Sequence, residues 1–276
     1  HPTTVIDRID AVVLTGGSAY GLAAANGVMA GLEAAGIGWP VGLEPHQVVP
    51  IVPAAVIFDL GRGGVFGNRP TDEFGKLALA AATVQRPETG SVGAGTGAVC
   101  GGIKGGLGYA ETELESGISV AAAVVVNAAG SVVDSESGRL WADQRQLLAT
   151  PSDPEREALA TAHAQAQRSA ATTIGVVMTD AALTKAQANK VAAVAHDGMA
   201  RAIRPVHSMF DGDTVFCLAS SRRSVAGDQI RSLFAFNALL AAAADVFADA
   251  CLDGVLAASG RGSWRSYTEL APSVVG

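Results

Sequence analysis

The sequence predicts an α/β fold in which sheets are covered by helices. Short uncharged runs rich in Val, Ile and Ala alternate along the chain with longer segments of helical periodicity. The 276-residue chain is 49% hydrophobic and 16% charged and contains 33 glycines, which is typical of a dense globular core. Aromatic residues make up only 5%, so small side chains fill that core and let helices and sheets approach closely. We expect one domain over residues 1–276.

The first part of the chain predicts two strand–helix pairs. Residues 9–14 and 52–57 have the composition of buried strands, and helices are predicted to end at Gly36 and to span residues 72–84. The apolar faces of these two helices are predicted to be Leu22, Ala25, Met29 and Leu32, and Phe74, Leu77, Ala81 and Val84. The glycine turn at residues 15–21 lacks the Lys-Ser/Thr ending of a phosphate loop, which favours close packing over nucleotide binding.

The second part of the chain predicts further strands and helices. Strands are predicted at residues 119–126, 131–134, from Thr172 onward and at 215–218, and helices at 183–203 and 229–258. Residues 141–168 form a polar connector that contains Pro151 and Pro154, with a partial helix.

Charge and cysteine content narrow the choice of partners and compartment. The formal net charge of −7 argues against nucleic acid and against an acidic membrane surface. The three cysteines are far apart and lack metal-site spacing, which fits reduced thiols in a cytoplasm. We expect no signal peptide, and the strongest candidate for a membrane span, residues 118–129, is shorter than the ~20 residues required. Because the chain starts at His1 without Met, we expect residues to precede it.

Two adjacent threonines lie where the polar connector meets a core strand, in the stretch 169–180. If the chain were cut before Thr172, that residue would own both a hydroxyl and an α-amine. Such an amine titrates near pH ~8 and can act as the general base for its own hydroxyl. The alternative is that Thr172 and Thr173 are simply the entrance of a strand.

Other polar residues allow two interpretations each. Lys104, in the glycine-rich stretch 90–108, is either a solvated loop residue or a cation held by close-packed backbone. That stretch lacks a dinucleotide fingerprint. Asn127 ends a strand either as a turn former or as an oxyanion donor. Asp211 and Asp213 either form a turn or hold an ammonium group.

Several motifs in order along the chain resemble one family. The matching segments are residues 14–22, 92–97, 104–108, 126–130 and 172–177, and His207 with 211–214. Together they resemble the autoprocessing L-aminopeptidase/D-esterase (D-amidase) hydrolases, a family that includes 6-aminohexanoate (nylon) oligomer hydrolases. The ordered set extends from near Ile9 to near Leu256.

The resemblance implies a fold, a maturation step and an assembly. The fold would be a four-layer α/β/β/α sandwich of N-terminal-nucleophile-hydrolase type, forming a single catalytic domain. The precursor would cut itself between Ala171 and Thr172 into residues 1–171 and 172–276. The cleaved pair would assemble as a homo-oligomer, a tetramer, in the cytoplasm. The resemblance implies neither a metal nor an organic cofactor.

The resemblance also assigns roles to residues. Thr172 would be the nucleophile, with Asn127 as oxyanion donor and Lys104 as electrostatic support against it. Asp211 and Asp213 would orient the amine and hydroxyl of Thr172. Tyr20 and Thr173 would line the pocket.

Two features depart from the family pattern. Relatives that use Thr frequently have Asn before it, whereas this chain has Ala171. We expect self-cleavage to be slowed, to the point of a trapped precursor, because the strained conformation at the bond would be loosened. The family also has a segment ahead of the first motif, where only about nine residues stand here.

The leading prediction is an N-terminal-threonine amide hydrolase that acts on short peptides or small amides and esters through an acyl-enzyme. A nylon-oligomer hydrolase of the same family is the first alternative. Acyl transfer of the ornithine-acetyltransferase kind and a catalytically inactive small-molecule binding protein are alternatives from other classes. The predicted partner is therefore a small molecule or short peptide.

Overall fold

The structure is a computed structural model that describes residues 2–166, 171–225 and 229–275, without the side chains of 229–231. Residues 169 and 170, the first two of the stretch 169–180, and the end of the predicted connector at 167–168 lie outside the described residues. The strands are β1 Val13–Thr15, β2 Trp39–Pro40, β3 Val48–Val49, β4 Ala54–Val56, β5 Val99–Cys100, β6 Ile103–Lys104, β7 Leu107–Glu113, β8 Ser119–Val125, β9 Ile174–Ala181 and β10 Thr214–Arg223. The helices are α1 Ala23–Ala34, α2 Asp72–Ala80, α3 Asp153–Ala164, α4 Lys185–Ala202, α5 Gln229–Leu256 and α6 Tyr267–Leu270.

The main sheet has four strands in the order β10-β9-β8-β7. β8 runs antiparallel to both of its neighbours, β7 and β9, whereas β10 runs parallel to β9. The parallel pair is joined through α4, as a crossover between parallel strands requires. The apolar composition of β8 and β9 follows from this central position, because both faces of these strands are covered.

Two hydrophobic clusters separate the layers. On β8, Val124 belongs to the large cluster formed with α4 and α5, while Val125 belongs to a second cluster with Ala55 and Ile57. Successive residues of a strand point to opposite faces, so the second cluster lies between the main sheet and the parallel pair β1–β4. α1 packs on β1 and against α2. The order helix, sheet, sheet, helix confirms the predicted α/β/β/α sandwich.

The contact between α1 and α2 is made by glycine rather than by the predicted apolar faces. A Cβ at Gly75 would lie 1.8 Å from the Ala24 carbonyl oxygen, and one at Gly27 would lie 1.8 Å from that of Asp72. This backbone-to-backbone approach turns Phe74 and Leu77, 60% and 61% exposed, toward solvent. The apolar side that contains Phe74 and Leu77 is therefore not the packed side of the helix.

Most other elements occur where the sequence predicts them, with shorter bounds. α1 is followed by Gly36 in the left-handed region, at φ 69°, as a helix C-terminus favours. The connector contains the partial helix α3. The strand predicted at 131–134 is wrong, because Ser131 and Val133 make only isolated bridges. Within the described ranges, no helix has the length and apolarity to cross a bilayer.

Candidate active site

The Ala171–Thr172 bond lies between two segments that hold it from opposite sides. Ala171 forms a parallel bridge with Asp211, its N–H donating to the Phe210 carbonyl at 2.9 Å. On the other side of the bond, the Thr172 N–H donates to the Asn127 carbonyl at 2.8 Å. The junction is thus fixed by backbone contacts immediately before β9 begins.

The Thr172 hydroxyl lies beside the carbonyl of the preceding residue. Its Oγ1 donates to the Ala171 oxygen, and the Gly212 N–H donates to the same oxygen at 3.2 Å. A Cβ at Gly212 would lie 3.1 Å from Thr172 Oγ1, so glycine is what lets this segment approach the hydroxyl. Thr172 itself is only partly buried. The predicted cleavage junction therefore has a hydroxyl and an amide donor on one carbonyl.

Asn127 is fully buried and presents its amide group to the junction. The Val99 N–H donates to Asn127 Oδ1 at 3.1 Å, which fixes the orientation of the amide. Nδ2 consequently faces the carbonyls of Phe58, at 3.3 Å, and Thr172, at 3.4 Å. An N–H donor of Asn127 thus lies at the backbone of Thr172, and its role as oxyanion donor stays a prediction.

Arg62 is a site residue that the sequence reasoning missed. Its guanidinium donates to Asn127 Oδ1 and, at 3.1 Å, to the Gly97 carbonyl. Burial lowers the pKa of Arg62, against the opposing charge of Asp59. The available signal was a single arginine among glycines at residues 60–64, the same pattern that drew attention to Lys104.

Lys104 is buried, which rules out the solvated-loop interpretation, but its ammonium does not face Thr172. Nζ donates to the carbonyls of Gly95 at 2.7 Å, Ala98 at 2.9 Å and Gly105 at 2.7 Å. These three bonds use all the donors of an ammonium group. Burial, together with the charges of Arg261 and Arg62, lowers the pKa of Lys104 to about 8. The structure thus gives Lys104 a backbone cradle; direct support of the nucleophile stays a prediction.

The two aspartates lie close to the junction, and each accepts hydrogen bonds from neighbouring backbone and side-chain groups. Asp211 accepts from the Ala129 N–H at 3.0 Å and from the N–H and hydroxyl of Ser208. Asp213 accepts from the Thr173 N–H at 2.8 Å and contacts His207. Asp213 therefore holds the backbone next to Thr172. Orientation of the Thr172 amine and hydroxyl by the two aspartates stays a prediction. Thr173 is itself buried, and its own hydroxyl accepts from the Asn127 N–H at 3.4 Å.

Two surface features flank this arrangement. A groove of about 800 Å³ runs between α4 and the segment containing Asp211, Gly212 and Asp213. Tyr20 is 58% exposed and stacks under the Arg69 guanidinium, 3.8 Å from the ring centre. The structure shows no bond from Tyr20 to the junction among the described residues, and its pocket role stays a prediction. Over those residues, no group of three or more His, Cys, Asp or Glu is placed to hold a metal ion.

Comparison with known proteins identifies the family. Residues 1–265 match the family model described as peptidase family S58. The chain belongs to peptidase family S58. The family predicted from the motifs is thereby confirmed, and this S58 member is a hydrolase of peptide or amide bonds.

Relatives of this S58 peptidase carry two kinds of name. A protein of Mycobacterium tuberculosis named as an uncharacterized aminopeptidase is 43% identical over 287 residues, covering 100% of this chain and 82% of the relative. A 6-aminohexanoate-oligomer endohydrolase of Kocuria sp. is 28% identical over 219 residues, covering 76% of this chain and 60% of that enzyme.

Solved structures similar to this S58 peptidase support the fold. A Burkholderia sp. beta-aminopeptidase has a TM-score of 0.59 at 23% identity, covering 90% of this chain and 68% of its own. The L-aminopeptidase D-Ala-esterase/amidase of Ochrobactrum anthropi, described as a variant of the Ntn hydrolase fold, has a TM-score of 0.60 at 20% identity, covering 89% and 66%. The predicted N-terminal-nucleophile-hydrolase fold is confirmed.

Proposed function

We propose that this S58 peptidase is an N-terminal-threonine amide hydrolase that first cuts its own chain before Thr172. The single observation that carries the proposal is the pair of donors on the Ala171 carbonyl oxygen. One is the Thr172 hydroxyl and the other is the Gly212 N–H, at 3.2 Å. A nucleophile beside a carbonyl and a fixed N–H on its oxygen are the two elements of an acyl-transfer site.

Maturation would proceed by attack of Thr172 Oγ1 on the Ala171 carbonyl carbon. The hydroxyl proton passes to the departing backbone nitrogen of Thr172, the C–N bond breaks and an ester forms. The Gly212 N–H stabilises the negative oxygen of the tetrahedral intermediate. Water then hydrolyses the ester, which leaves a carboxylate on Ala171 and a free amine and hydroxyl on Thr172.

Substrate turnover would use the same oxygen with the new α-amine as its base. Thr172 attacks the substrate carbonyl, and Asn127 Nδ2, now 3.4 Å from the Thr172 carbonyl oxygen, donates to the oxyanion. The leaving amine takes a proton and departs, and water releases the acyl group. The substrates would be short peptides cut from the amino end, or small amides and esters, in line with the aminopeptidase name of the M. tuberculosis relative.

A second candidate substrate class is the 6-aminohexanoate oligomer. The relationship to the Kocuria endohydrolase, 28% identical over 219 residues, favours it. Both classes contain an amide carbonyl that the threonine oxygen can attack, so the same chemistry serves both. A cytoplasmic homo-oligomer of the cleaved pair belongs to the same proposal.

The test follows intact mass and hydrolysis of an aminoacyl p-nitroanilide in Thr172→Ala and Thr172→Ser. We expect Thr172→Ala to remain uncleaved and inactive, and Thr172→Ser to retain both reactions in part. Thr161→Ala, at an exposed position of α3, is the matched control and should behave as wild type. Hydrolysis at the wild-type rate by Thr172→Ala would overturn the proposal.

The same mass measurement tests the effect of Ala171. Slow appearance of fragments beginning at His1 and Thr172 is the expected course. Two complete fragments in freshly purified protein would contradict a trapped precursor, while leaving the nucleophile assignment intact.

A further inference from the structure

Two histidines form a chain of hydrogen bonds that ends on Asp213. His207 Nδ1 lies 2.6 Å from Asp213 Oδ2, and His207 Nε2 lies 3.3 Å from Nδ1 of His196 on α4. The two rings meet edge to face, with centroids 4.8 Å apart. The Asp213 side chain is only 4% exposed, whereas that of His207 is 40% exposed and borders the groove along α4.

The other oxygen of Asp213 connects this chain to the nucleophile. Oδ1 accepts from the N–H of Thr173 at 2.8 Å, one residue after Thr172. A carboxylate with one oxygen on a backbone N–H and the other on an imidazole has little freedom to rotate. Displacing it would move the backbone on which the Thr172 hydroxyl depends for its place.

The contacts of the His207 ring determine which of its nitrogens faces Asp213. Nε2 meets Nδ1 of His196, so the Nδ1 side of the ring is turned to the carboxylate. Because a carboxylate only accepts, this hydrogen bond requires a proton on His207 Nδ1. His196 thereby holds the ring in the orientation that Asp213 requires.

We propose that His207 is a positioning residue for the hydrolase reaction: its Nδ1–H holds Asp213, which in turn fixes the backbone at Thr172–Thr173, and His196 keeps the His207 ring in that orientation. The inference rests on the proposed function, because it needs Thr172 as the nucleophile. Neither histidine touches the reacting atoms.

The experiment exploits the two amides that replace different ring nitrogens. In His207→Asn the amide nitrogen takes the place of Nδ1 and still donates to Asp213, whereas in His207→Gln it takes the place of Nε2 and does not. We expect His207→Ala and His207→Gln to lower kcat about 100-fold with little change in KM, because a displacement of about 1 Å near a reacting group costs that much. His207→Asn should stay within about threefold of wild type.

Rates are measured per mole of cleaved enzyme, with self-cleavage followed separately by intact mass and folding by thermal unfolding. His196→Asn and His196→Gln form a second pair, with the larger loss expected in His196→Gln. His46→Ala, at an exposed histidine in the turn between β2 and β3, is the control and should match wild type.

Two outcomes overturn the inference. One is wild-type kcat in all three His207 variants, and the other is an equal loss in His207→Asn and His207→Gln. Either result together with an inactive Thr172→Ala leaves the proposed function standing. An active Thr172→Ala removes the proposed function itself, whatever the histidine variants show.

Discussion

Asn127 and Lys104 are both buried polar residues, Lys104 in the β5–β6 hairpin and Asn127 in contact with it, yet their side chains bond to different groups. Asn127 is 0% exposed and Lys104 1%. The ammonium of Lys104 is shared among three backbone carbonyls of its own glycine-rich segment. The Asn127 side-chain oxygen is fixed by Val99 and Arg62. Its N–H groups point to the carbonyls of Phe58 and Thr172.

The difference shows how burial alone misleads about function. A buried polar group must find partners, and one whose partners are all backbone stabilises the fold. An amide such as that of Asn127, with its oxygen fixed and an N–H near Thr172, has the arrangement that stabilisation of an oxyanion needs. We therefore expect substitutions at Asn127 to act on the rate, and substitutions at Lys104 to act on folding.

Asn127→Ala should have the largest effect. Removing one oxyanion donor lowers kcat by about 10²–10³-fold. Steady-state kinetics on an aminoacyl p-nitroanilide, with KM measured separately, check this result. A loss of stability without a loss of kcat in the folded fraction would give Asn127 the same structural role as Lys104 and contradict this expectation.

Lys104→Met should lower the free energy of unfolding by about 3 kcal/mol, because three buried carbonyls lose a charged donor. Urea denaturation at pH 7 measures the change. An unchanged unfolding midpoint with lost activity would show that the ammonium acts on the reaction instead.

The pH dependence of stability sharpens the same contrast. The pKa of Lys104 falls from 10.5 to about 8 in the folded chain. Between these values the unfolded chain binds more protons than the folded chain, so the contribution of this group to the unfolding free energy rises with pH. Lys104→Met should lack the rise, and denaturation at pH 8 and at pH 10 detects it. A parallel dependence in both proteins would contradict the lowered pKa.

Arg62→Met should have an intermediate effect, because Arg62 interacts with Asn127 and also influences Lys104. Its guanidinium donates to Asn127 and its charge lowers the pKa of Lys104. We expect a drop in kcat of about tenfold, the value of one hydrogen bond to a charged group, since Val99 still orients the amide. Kinetics and the pH dependence of unfolding should therefore both change. A change in only one of these two measurements would contradict the double role of Arg62 and show that it acts on Asn127 or on Lys104 but not on both.

Arg261→Gln should have the smallest effect and serves as the matched control for Arg62. Arg261 is exposed, and its charge also lowers the pKa of Lys104. The rise in stability with pH should therefore begin at a slightly higher pH, while kcat stays at the wild-type value. A loss of kcat here would mean that charge near Lys104 reaches the reaction after all.

Sequence patterns could group the residues around the Ala171–Thr172 bond because most of them are close together in the chain. Thr172, Thr173 and Ala171 are adjacent, and Asp211 and Asp213 flank one glycine, so the family motifs carry them together. The long apolar runs of β8 and β9 likewise identify a covered sheet.

Several contacts between segments that are far apart in the chain could not be predicted from sequence patterns. Arg62 meets Asn127 across 65 positions, and His207 meets His196 on a helix. The packing of α2 was misjudged because periodicity counts apolar side chains, whereas Gly75 allows contact through the backbone itself. The partners of Lys104 are carbonyls, which every residue has, so its type could not reveal them.

The hydrogen bonds around the junction are unevenly divided between its two ends. Residues after the bond are tied to Asn127 and Asp213 and continue into a central strand, whereas Ala171 bonds to Phe210, to Gly212 and to the Thr172 hydroxyl. Cleavage of the bond would leave the new amino terminus at Thr172 held by these contacts. The new carboxyl terminus at Ala171 would no longer be linked to the strand and could move away. The space that Ala171 vacates would then adjoin the Thr172 oxygen. Cleavage would in this way create the space in which the acyl group of a substrate binds.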